Sequence, residues 1–469
     1  MDIFLAGRFV STGTRLGVIN PYNGEVVAET YLAGTAELEE AVSSACRAKP
    51  LMKNLPSYAR YQALMHIRTR LAERRAEFAL LLMKESGKPM RYALGEIDRS
   101  IQTFTVAAEE SRRLPSEYLS LDWTRAGERK EGLVKYFPVG VVAGIAPFNF
   151  PLNLAVHKLA PAIAAGCPVI IKPSSATPLS TLLLSEIIAE TGLPEGAVSV
   201  LPMDRETGNR LVTDPRIALL SFTGSPEVGW RMKAAAGRKK VVLELGGNAG
   251  VIVTESADVQ SALQKCITGA FSYSGQVCIH TQRIYVQQRI FAQFAEQFTH
   301  LVQNLRTGDP ALPETEFSAM IDEANAVRVE QWIAEAVAGG ARLLCGGMRE
   351  GTLVEPTVLT GTQPYMKVCG EEVFGPVVTL EPYDDFAQAI EQLNDSRFGL
   401  QAGVFTNSLH VMNTAFSDIE TGGVIINDVP TFRVDHMPYG GIKDSGQGRE
   451  GVKYAMMDML EPRILVKEF

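Results

Sequence analysis

The sequence predicts an α/β protein with two open parallel-sheet domains of the Rossmann-like kind, together with a small β-ribbon. From residue 139 onward, short apolar runs recur, mostly 19 to 30 residues apart, and helical patterns separate most of them. This alternation is typical of parallel strands whose connecting helices cover both faces of a sheet. A second series begins after Gly250, and 469 residues exceed what one hydrophobic core normally supports. We therefore expect two domains, with the segment Glu244–Asn248 at their seam.

The region before the first sheet is predicted to contain three helices. The first ~30 residues favour short strands and turns, with a turn cluster at Asn20–Gly24. An amphipathic helix is predicted over 35–49, with Thr35 as its N-cap. Apolar residues at helical spacing predict a longer helix over 57–86, and a third helix is expected over 92–114.

The apolar runs give the expected strands. The first series comprises Val139–Ile145, Val169–Ile171, Val198–Leu201, Ile217–Phe222 and Val241–Leu245. The second series opens with Val251–Val253, a helix through Phe271, Arg283–Val286 and a helix to about Leu305.

Residues 116–137 fit neither series. Two alternating stretches flank a charged turn at 125–130, which predicts a two-stranded ribbon. Such a ribbon is unstable alone, so we expect it to pack on something else. A partner subunit is a good candidate, together with the strand-like tail Arg463–Val466.

Composition excludes several classes of function. A net charge of -8 and a pI near 5.5 argue against nucleic acid or an anionic membrane as a partner. No apolar run is long enough to span a bilayer, and the first residues lack the layout of a signal peptide. The six cysteines show no paired spacing, which favours reduced thiols in the cytoplasm over disulfides or a metal site.

Three segments carry the residues of a covalent catalyst. Cys278 lies in a glycine-punctuated stretch, Asn149 lies between two prolines, and Glu244 ends an apolar strand. Taken singly, they read as a small core hydrophobe, a turn residue and a strand-end ion pair. Together they supply a nucleophile, an amide donor and a base, which indicates covalent catalysis on a carbonyl.

Two strand ends predict a nucleotide site, because ligands of open parallel sheets bind at the carboxyl ends of the strands. Lys172 ends one strand, where it could bond ribose hydroxyls or simply be solvated. At the other, Gly224 permits close backbone approach, and Ser225 with a helix N-terminus could receive a phosphate. The usual G-x-G-x-x-G is missing, so an N-capped helix is the simpler reading of this segment alone.

Seven motifs occur in one order and together resemble the aldehyde dehydrogenase superfamily across essentially the whole chain. They are Pro-Phe-Asn149-Phe-Pro, Lys172-Pro-Ser, Phe222-Thr-Gly-Ser, Glu244-Leu-Gly-Gly-Asn, Gly275-Gln-Val-Cys278, Glu371-Glu372-Val-Phe374-Gly-Pro and Pro438-Tyr-Gly-Gly-Ile-Lys.

The resemblance implies a non-acylating, NAD(P)-dependent oxidation of an aldehyde to its acid. The Cys278 thiolate would attack the aldehyde carbon, and the Asn149 amide with the Cys278 N–H would hold the oxyanion. Hydride transfer would leave a thioester, which water activated by Glu244 would hydrolyse. Lys158, on the helix after Asn149, would relay water or protons. No metal is implied.

The resemblance also places the cofactor. Lys172 matches the adenosine-ribose lysine, and Gly246 matches a glycine whose side chain would otherwise crowd the cofactor. Glu372 and Phe374 match the positions that hold the nicotinamide ribose and pack beside its ring. Ser175 stands where many NAD-preferring members carry a glutamate, so a 2′-phosphate meets less repulsion and NADP is favoured, with NAD also possible.

The substrate is expected to be a small polar or anionic aldehyde of the lactaldehyde, glycolaldehyde or glyceraldehyde 3-phosphate type. Asn153 and His157 lie one turn apart on the helix after Asn149. His157 and Ser272 replace residues that would favour succinic semialdehyde. Arg433 could hold an anionic group through its planar fork, or could equally be a surface or interface arginine.

The resemblance implies three parts. Residues 1–115 and 138–246 would form the NAD(P)-binding domain, 247–445 the catalytic domain, and 116–137 with 456–469 the oligomerisation element of a homodimer or homotetramer. Two alternatives stay open at this point. A CoA-acylating dehydrogenase is disfavoured by Glu244, because that chemistry must keep water from the thioester. A catalytically silent structural or binding protein on the same fold is opposed by the intact Cys278 and Asn149.

Overall fold

The computed structural model describes all 469 residues, arranged as twenty-four strands and fifteen helices. The strands are β1 (Ile3–Leu5), β2 (Arg8–Val10), β3 (Thr14–Ile19), β4 (Val26–Leu32), β5 (Ser116–Ser120), β6 (Lys130–Pro138), β7 (Val141–Ile145), β8 (Val169–Lys172), β9 (Val198–Val200), β10 (Ile217–Thr223), β11 (Lys240–Glu244), β12 (Gly250–Val253), β13 (Arg283–Gln287), β14 (Arg342–Cys345), β15 (Arg349–Glu350), β16 (Leu353–Val354), β17 (Thr357–Thr360), β18 (Val377–Tyr383), β19 (Phe398–Gly399), β20 (Ala402–Phe405), β21 (Val424–Ile426), β22 (Ile442–Lys443), β23 (Gly446–Gln447) and β24 (Leu460–Glu468). The helices are α1 (Thr35–Asn54), α2 (Ser57–Glu73), α3 (Arg75–Ser86), α4 (Met90–Glu110), α5 (Pro151–Ala165), α6 (Leu179–Ala189), α7 (Arg205–Thr213), α8 (Pro226–Ala235), α9 (Val259–Phe271), α10 (Gln288–Gln303), α11 (Glu323–Ala338), α12 (Lys367–Gly370), α13 (Phe386–Asn394), α14 (Leu409–Asp418) and α15 (Val452–Asp458).

The first large sheet has the order β2-β1-β9-β8-β7-β10-β11-β23. Its five central strands, β9 to β11 in that order, are parallel, and β1 and β23 add antiparallel edges. The strand order reverses at β7, since β8 lies on one side of it and β10 on the other. Such a reversal opens a crevice at the carboxyl ends of the strands, where open α/β sheets bind ligands.

The second large sheet has the order β14-β17-β18-β13-β12-β20-β21 and is parallel except for the β14 edge. Helices pack on both sheets around separate apolar clusters, as the nearly continuous apolar strands require. The predicted α/β fold class with two open parallel sheets is therefore confirmed.

Two helix predictions differ from the structure. Gly34, not Thr35, is the N-cap of α1, and the Glu37 carboxylate accepts a 2.8 Å hydrogen bond from the Gly34 N–H. The helix predicted over 57–86 is two helices, because Arg74 leaves helical geometry with φ -96° and ψ 15°. Both halves bury their apolar faces in one cluster. The hydrophobic spacing therefore continues across the break, and periodicity alone could not reveal it.

The predicted ribbon forms a separate three-stranded sheet in which β6 is the central strand. On one side β6 pairs with β5, and on the other it pairs antiparallel with β24 over nine residues. The tail predicted to be strand-like is therefore a strand of this sheet.

In the whole chain, no helix has the length and apolar character needed to cross a bilayer.

Candidate active site

The crevice at the reversal point opens into a cavity of about 520 Å³. Its walls come from the segments that follow β7, β10 and β11, from the loop before β13 and from the turn after α12. Eight of the fourteen residues predicted from the sequence line it: Asn149, Gly224, Ser225, Glu244, Gly246, Cys278, Glu372 and Phe374. Residues from both large sheets therefore meet at one place.

The loop that presents Cys278 is held in an unusual backbone conformation. Tyr273 and Ser274 have φ values of 47° and 55°, and Gly275 follows at 69°. A side chain at Gly275 is excluded, because its Cβ would lie 2.2 Å from the Gly375 carbonyl oxygen. The glycine that marked this stretch in the sequence thus brings the cysteine loop against the backbone beside Phe374.

The Cys278 thiol is half-buried, and its Sγ lies 3.1 Å from the hydroxyl of Tyr439. The pKa of the thiol is raised to about 11, chiefly by burial and in smaller part by the carboxylates of Glu372 and Glu244, while the hydrogen bond from Tyr439 and the charge of Arg433 oppose the rise. Without ligands, the resting form is therefore the neutral thiol rather than the thiolate.

Asn149 is fixed at both its side chain and its backbone. Its amide nitrogen donates a 3.0 Å hydrogen bond to the Gln276 carbonyl, which leaves the second amide proton free for a ligand. Its own carbonyl accepts a 2.7 Å bond from the buried Lys88 ammonium, which pairs with Glu96. Glu96 in turn accepts two backbone N–H groups from the first turn of α5. The predicted oxyanion donor therefore stands on a rigid, charge-anchored segment.

Glu244 is 4% exposed, and neither of its carboxylate oxygens has a protein hydrogen-bond partner. Burial raises the pKa of Glu244 well above its ordinary value, and the neighbouring carboxylate of Glu450 adds to the effect, while Arg433 and Lys158 oppose it. A buried carboxylate with a raised pKa and unoccupied lone pairs accepts a proton more readily than an ordinary glutamate does, as a general base must.

A buried charge cluster lies beside Glu244 and Cys278. It consists of Arg99, His157, Lys158, Arg433, Asp435 and Glu450. The Glu450 carboxylate forms ion pairs with the Arg433 guanidinium at 2.8 Å and with the Lys158 ammonium at 3.3 Å. Asp435 receives His157 at 2.8 Å and Arg99 at 2.8 Å. The cluster therefore has two carboxylates, each bridging two partners.

The charges in this cluster fix the state of the histidine. Burial, and then Arg433, lower the pKa of His157, so the ring is neutral at physiological pH. Its Nε2 faces Asp435 and donates, while its Nδ1 accepts from Arg433 at 3.4 Å. His157 and Arg433, predicted near the substrate, therefore lie together behind Tyr439, whose ring stacks 3.7 Å from the Arg433 guanidinium carbon.

The cavity has the features that a nicotinamide dinucleotide requires. A Cβ on Gly246 would lie 2.0 Å from the Glu372 carboxylate, so a side chain there would displace Glu372 from its present position. Glu372 accepts the Gly247 N–H at 3.1 Å, and burial raises its pKa to about 7. Ser225 is the N-cap of α8 but makes no side-chain cap bond, which leaves the amides of that helix N-terminus available to a phosphate.

An aromatic pair marks the opposite wall of the cavity. The rings of Phe374 and Phe148 meet edge to face at 5.7 Å, and Phe374 is held at a φ of 45°. Phe374 was expected to lie beside a nicotinamide ring, and its position on the cavity wall suits a flat, partly apolar ligand.

The other predicted residues lie off this cavity. Lys172 ends β8, and its side chain lies against Gly208 of α7. Ser175 follows β8, and its hydroxyl donates to the Met203 carbonyl at 3.4 Å. Burial lowers the pKa of Lys172, against the nearby Asp204. Asn153 is fully buried against α4 and accepts weak bonds from the hydroxyls of Ser100 and Thr103.

Lys158 does not line the cavity, but it contacts a residue that does. Its ammonium donates to the Thr223 hydroxyl at 2.6 Å, and Thr223 lines the cavity at the end of β10. On its other side it reaches Glu450. Lys158 therefore links the cavity to the buried charge cluster, as a relay residue would.

Several residues of the site carry no recognisable signal in the sequence. Tyr439 lies in the motif Pro438-Tyr-Gly-Gly-Ile-Lys, but its contact with Cys278 depends on a fold that brings together positions 161 residues apart. Glu450 and Asp435 read as ordinary loop acids, and Arg328 on α11 reads as a surface helix residue although it lines the cavity. Only the helical spacing of Asn325, Arg328 and Trp332, one face of α11, could have suggested a shared wall. No group of three or more histidine, cysteine or acidic side chains is arranged to hold a metal ion.

Comparisons with known proteins show the family of this chain. A sequence model described as the aldehyde dehydrogenase family matches residues 9–465. The 3-sulfolactaldehyde dehydrogenase of Priestia aryabhattai is 42% identical over 466 residues, which are 99% of this chain and 97% of that protein.

Two solved structures are similar over nearly the whole chain. Aldehyde dehydrogenase 21 from Physcomitrella patens, in complex with the reaction product succinate, has a TM-score of 0.98 at 46% identity, covering 100% of this chain and 98% of that chain. The glyceraldehyde-3-phosphate dehydrogenase GapN from Methanocaldococcus jannaschii, complexed with NADP, has a TM-score of 0.93 at 37% identity, covering 97% of this chain and 99% of that chain. This chain therefore belongs to the aldehyde dehydrogenase family, and it is an oxidoreductase that oxidises an aldehyde with NAD or NADP.

Proposed function

We propose that this enzyme converts a small anionic aldehyde to its carboxylic acid through a covalent thioester on Cys278. The observation that carries the proposal is that Cys278, Asn149 and Glu244 line one cavity although they come from three distant segments. Each is placed by a different element, and each is oriented by its own backbone surroundings.

In the first half-reaction, the Cys278 thiol gives its proton to solvent and its sulfur forms a bond to the aldehyde carbon. The π electrons of the carbonyl move to the oxygen, which becomes an oxyanion. The free amide proton of Asn149 and the Cys278 N–H stabilise that charge, and losing one such donor costs about 2.7–4 kcal/mol. A nicotinamide cofactor, held by Gly246, Glu372 and Phe374, would supply the acceptor for the hydride that leaves this carbon. The carbonyl then re-forms as a thioester.

In the second half-reaction, Glu244 takes a proton from water as the water oxygen attacks the thioester carbon. The carbon–sulfur bond breaks, which releases the acid and returns the sulfur of Cys278. The lack of protein partners on the Glu244 oxygens supports this role, because a base must have a lone pair to offer. Lys158, whose ammonium donates to Thr223 on the cavity wall, would relay the proton onward from Glu244.

The charge balance beside the nucleophile supports an anionic substrate. The buried charge cluster holds three cations, namely Arg99, Lys158 and Arg433, against the two carboxylates of Asp435 and Glu450. Arg433 is the cation of this cluster that stacks on Tyr439, whose hydroxyl contacts the nucleophile. The names of three similar proteins agree, since 3-sulfolactaldehyde, succinate and glyceraldehyde 3-phosphate are all small anions.

We propose that NADP is the preferred cofactor. At position 175 a serine hydroxyl replaces the carboxylate that would repel a 2′-phosphate, and its only bond in the structure is a long one to Met203. Lys172 lies three residues earlier and offers a cation to the same phosphate.

We further propose that the three-stranded sheet of β5, β6 and β24 joins subunits in a homodimer or homotetramer. Every residue of β5 is exposed, and Tyr118, Trp123 and Leu465 are 65%, 91% and 52% exposed. With this element as 116–137 and 456–469, the division at 246/247 falls between β11 of the first large sheet and β12 of the second, although β23 returns to pair with β11. All six cysteines are free thiols, which supports the cytoplasm as the compartment.

The test is a panel of aldehydes assayed for NADH and NADPH formation. It contains glyceraldehyde 3-phosphate, 3-sulfolactaldehyde, succinic semialdehyde, lactaldehyde and glycolaldehyde. We expect the three anionic aldehydes to give the higher kcat/KM values, and NADP to be used more efficiently than NAD. Equal kcat/KM for charged and neutral aldehydes would contradict the substrate class while leaving the reaction type intact.

The Cys278→Ala variant tests the covalent mechanism. Because the alanine cannot form a thioester, we expect NAD(P)H formation to stop. Cofactor binding, measured by the quenching of protein fluorescence, should be retained. Cys46→Ala is the matched control, since Cys46 is an equally half-buried thiol on α1, remote from the cavity. Normal turnover by Cys278→Ala would overturn the proposal.

A further inference from the structure

The hydroxyl of Tyr439 has one protein partner, the sulfur of Cys278 at 3.1 Å. Tyr439 is 3% exposed, and its backbone is fixed by two hydrogen bonds with Glu450, one in each direction. Burial and the Arg433 guanidinium stacked on its face leave the ring little room to turn away from the thiol. The structure thus aims a phenol at the nucleophile, outside the set of residues that the sequence pointed to.

The direction of this hydrogen bond depends on the state of the sulfur. When Cys278 is a neutral thiol, either group can donate. Once the thiol loses its proton, only the phenol carries one, so Tyr439 must be the donor. A hydrogen bond that forms with the charged state favours that state and makes the thiolate easier to reach. The ordinary form of the phenol is protonated, since burial raises the pKa of Tyr439 well above its usual value.

Four groups face the Cys278 sulfur, and they act in opposite directions. The carboxylates of Glu372 and Glu244 disfavour a thiolate by repulsion. The Tyr439 hydroxyl and the positive charge of Arg433 favour it. Tyr439 is the only one of the four that forms a hydrogen bond with the sulfur. Its hydrogen bond therefore lowers the pKa of Cys278, whereas burial and the carboxylates of Glu372 and Glu244 raise it.

Arg433 reaches the sulfur in a second way, through the ring of Tyr439. Its guanidinium carbon lies 3.7 Å from the ring centroid, a close stacking distance for a cation on an aromatic face. A cation over a phenol withdraws electron density from the ring, which makes the O–H a stronger donor. Glu450 holds the guanidinium in place at 2.8 Å.

We propose that Tyr439 is a catalytic residue that stabilises the Cys278 thiolate by hydrogen bonding, and that Arg433, stacked on its ring, is a positioning residue that strengthens this donation. The proposal rests on the role proposed above for Cys278. It also gives Arg433 a task that needs no contact with the substrate.

The test is the rate at which iodoacetamide alkylates Cys278 as a function of pH, with no aldehyde or cofactor present. Mass spectrometry of the peptide that carries Cys278 separates it from the other thiols. In Tyr439→Phe the ring and the stacked arginine remain, but the donor is lost. We expect the midpoint of the alkylation profile to rise by about one pH unit, and alkylation below that midpoint to slow about tenfold.

The control is Tyr383→Phe, which removes a buried hydroxyl that donates to the Val253 carbonyl, far from the cavity. We expect its alkylation profile to match the wild type. An unchanged or lower midpoint in Tyr439→Phe would overturn the proposal. Because alkylation needs no turnover, that result would leave the proposed oxidation intact, whereas turnover by Cys278→Ala would contradict the oxidation mechanism itself.

Arg433→Lys provides a second, independent measurement. Lysine keeps a positive charge for Glu450 but cannot stack as a planar cation. We expect a smaller upward shift of the midpoint in the wild-type background and no further shift in Tyr439→Phe. If Tyr439→Phe does not fold, as judged by its thermal melting, the Arg433→Lys shift still decides, since no shift would contradict the stacking step.

Discussion

The cavity and the buried charge cluster lie side by side, yet they treat their polar groups in opposite ways. In the cavity, Glu244 is buried with no protein hydrogen bond to either oxygen. In the cluster, Glu450 is equally buried and receives both Arg433 and Lys158. Burial and the neighbouring acid raise the pKa of Glu244, whereas in Glu450 the three cationic or polar neighbours overcome burial and lower it.

This difference suits Glu244 to proton transfer and Glu450 to holding the surrounding side chains in place. A carboxyl with free lone pairs and a raised pKa can exchange a proton near neutrality, but it adds nothing to stability. A carboxylate bridged by two cations stays ionised and holds its surroundings in place. Glu244 depends on Glu450, because the fixed charge of Glu450 is one reason why the pKa of Glu244 is raised.

Replacing Glu244 by glutamine should give the largest effect. The amide is the same size but cannot take a proton from water, so thioester hydrolysis should slow by about 100- to 10,000-fold. Hydride transfer precedes this step, and stopped-flow measurement should therefore show a normal burst of NAD(P)H followed by a slow steady state. Unchanged turnover with no burst would contradict the role of Glu244.

Glu381→Gln is the matched control for this variant. Burial also raises the pKa of Glu381, but its oxygens accept hydrogen bonds from Gly361 and Thr362 on the rim of the second sheet. We expect normal turnover from it. In the wild type, hydrolysis should rise with pH through the raised pKa of Glu244, because only the ionised carboxylate can act as the base.

Replacing Glu450 by glutamine should mainly affect stability. It leaves Arg433 and Lys158 buried without their carboxylate, and breaking a buried pair in this way costs about 3–5 kcal/mol. Urea unfolding measures this loss at neutral pH. The difference from the wild type should shrink as pH falls below the usual range of a glutamate, because protonation of Glu450 removes the same charge.

The same variant also probes the cavity. Removing the negative charge beside Glu244 should lower the pKa of Glu244, so the rise in hydrolysis should shift to lower pH in Glu450→Gln. If Glu450→Gln is stable and its pH profile of hydrolysis is unshifted, the charge of Glu450 does not affect Glu244. That result would contradict the comparison drawn between the two regions.

The sequence predicts the two regions unequally, for a physical reason. Motif residues such as Cys278 and Glu244 are recognisable because chemistry demands one residue type at a fixed place on a strand end or a tight loop. The cluster is built by contacts across long stretches of chain, such as His157 with Asp435, 278 residues apart. Any acid near the right point of the fold could serve there, so no local pattern marks it.

Local structure shows the same limit. The break at Arg74 has no hydrophobic signature, because α2 and α3 bury their faces in one cluster. The parallel strands were predictable because burial on both faces leaves a continuous apolar run. Their order was not, and it is the reversal at β7 that opens the crevice where Asn149 stands.

The smallest effect is expected at the edge of the cluster, in Arg99→Gln. Arg99 pairs with Asp435 at 2.8 Å, but its side chain is 30% exposed, whereas those of Arg433 and Glu450 are 5% and 2% exposed. Water can therefore replace part of the interaction, and Asp435 keeps its bond from His157. We expect a loss of about 1 kcal/mol or less in urea unfolding, since partly exposed ion pairs contribute little. A loss as large as that of Glu450→Gln would mean that the cluster is cooperative to its rim, and burial alone would no longer explain which of its charges matter.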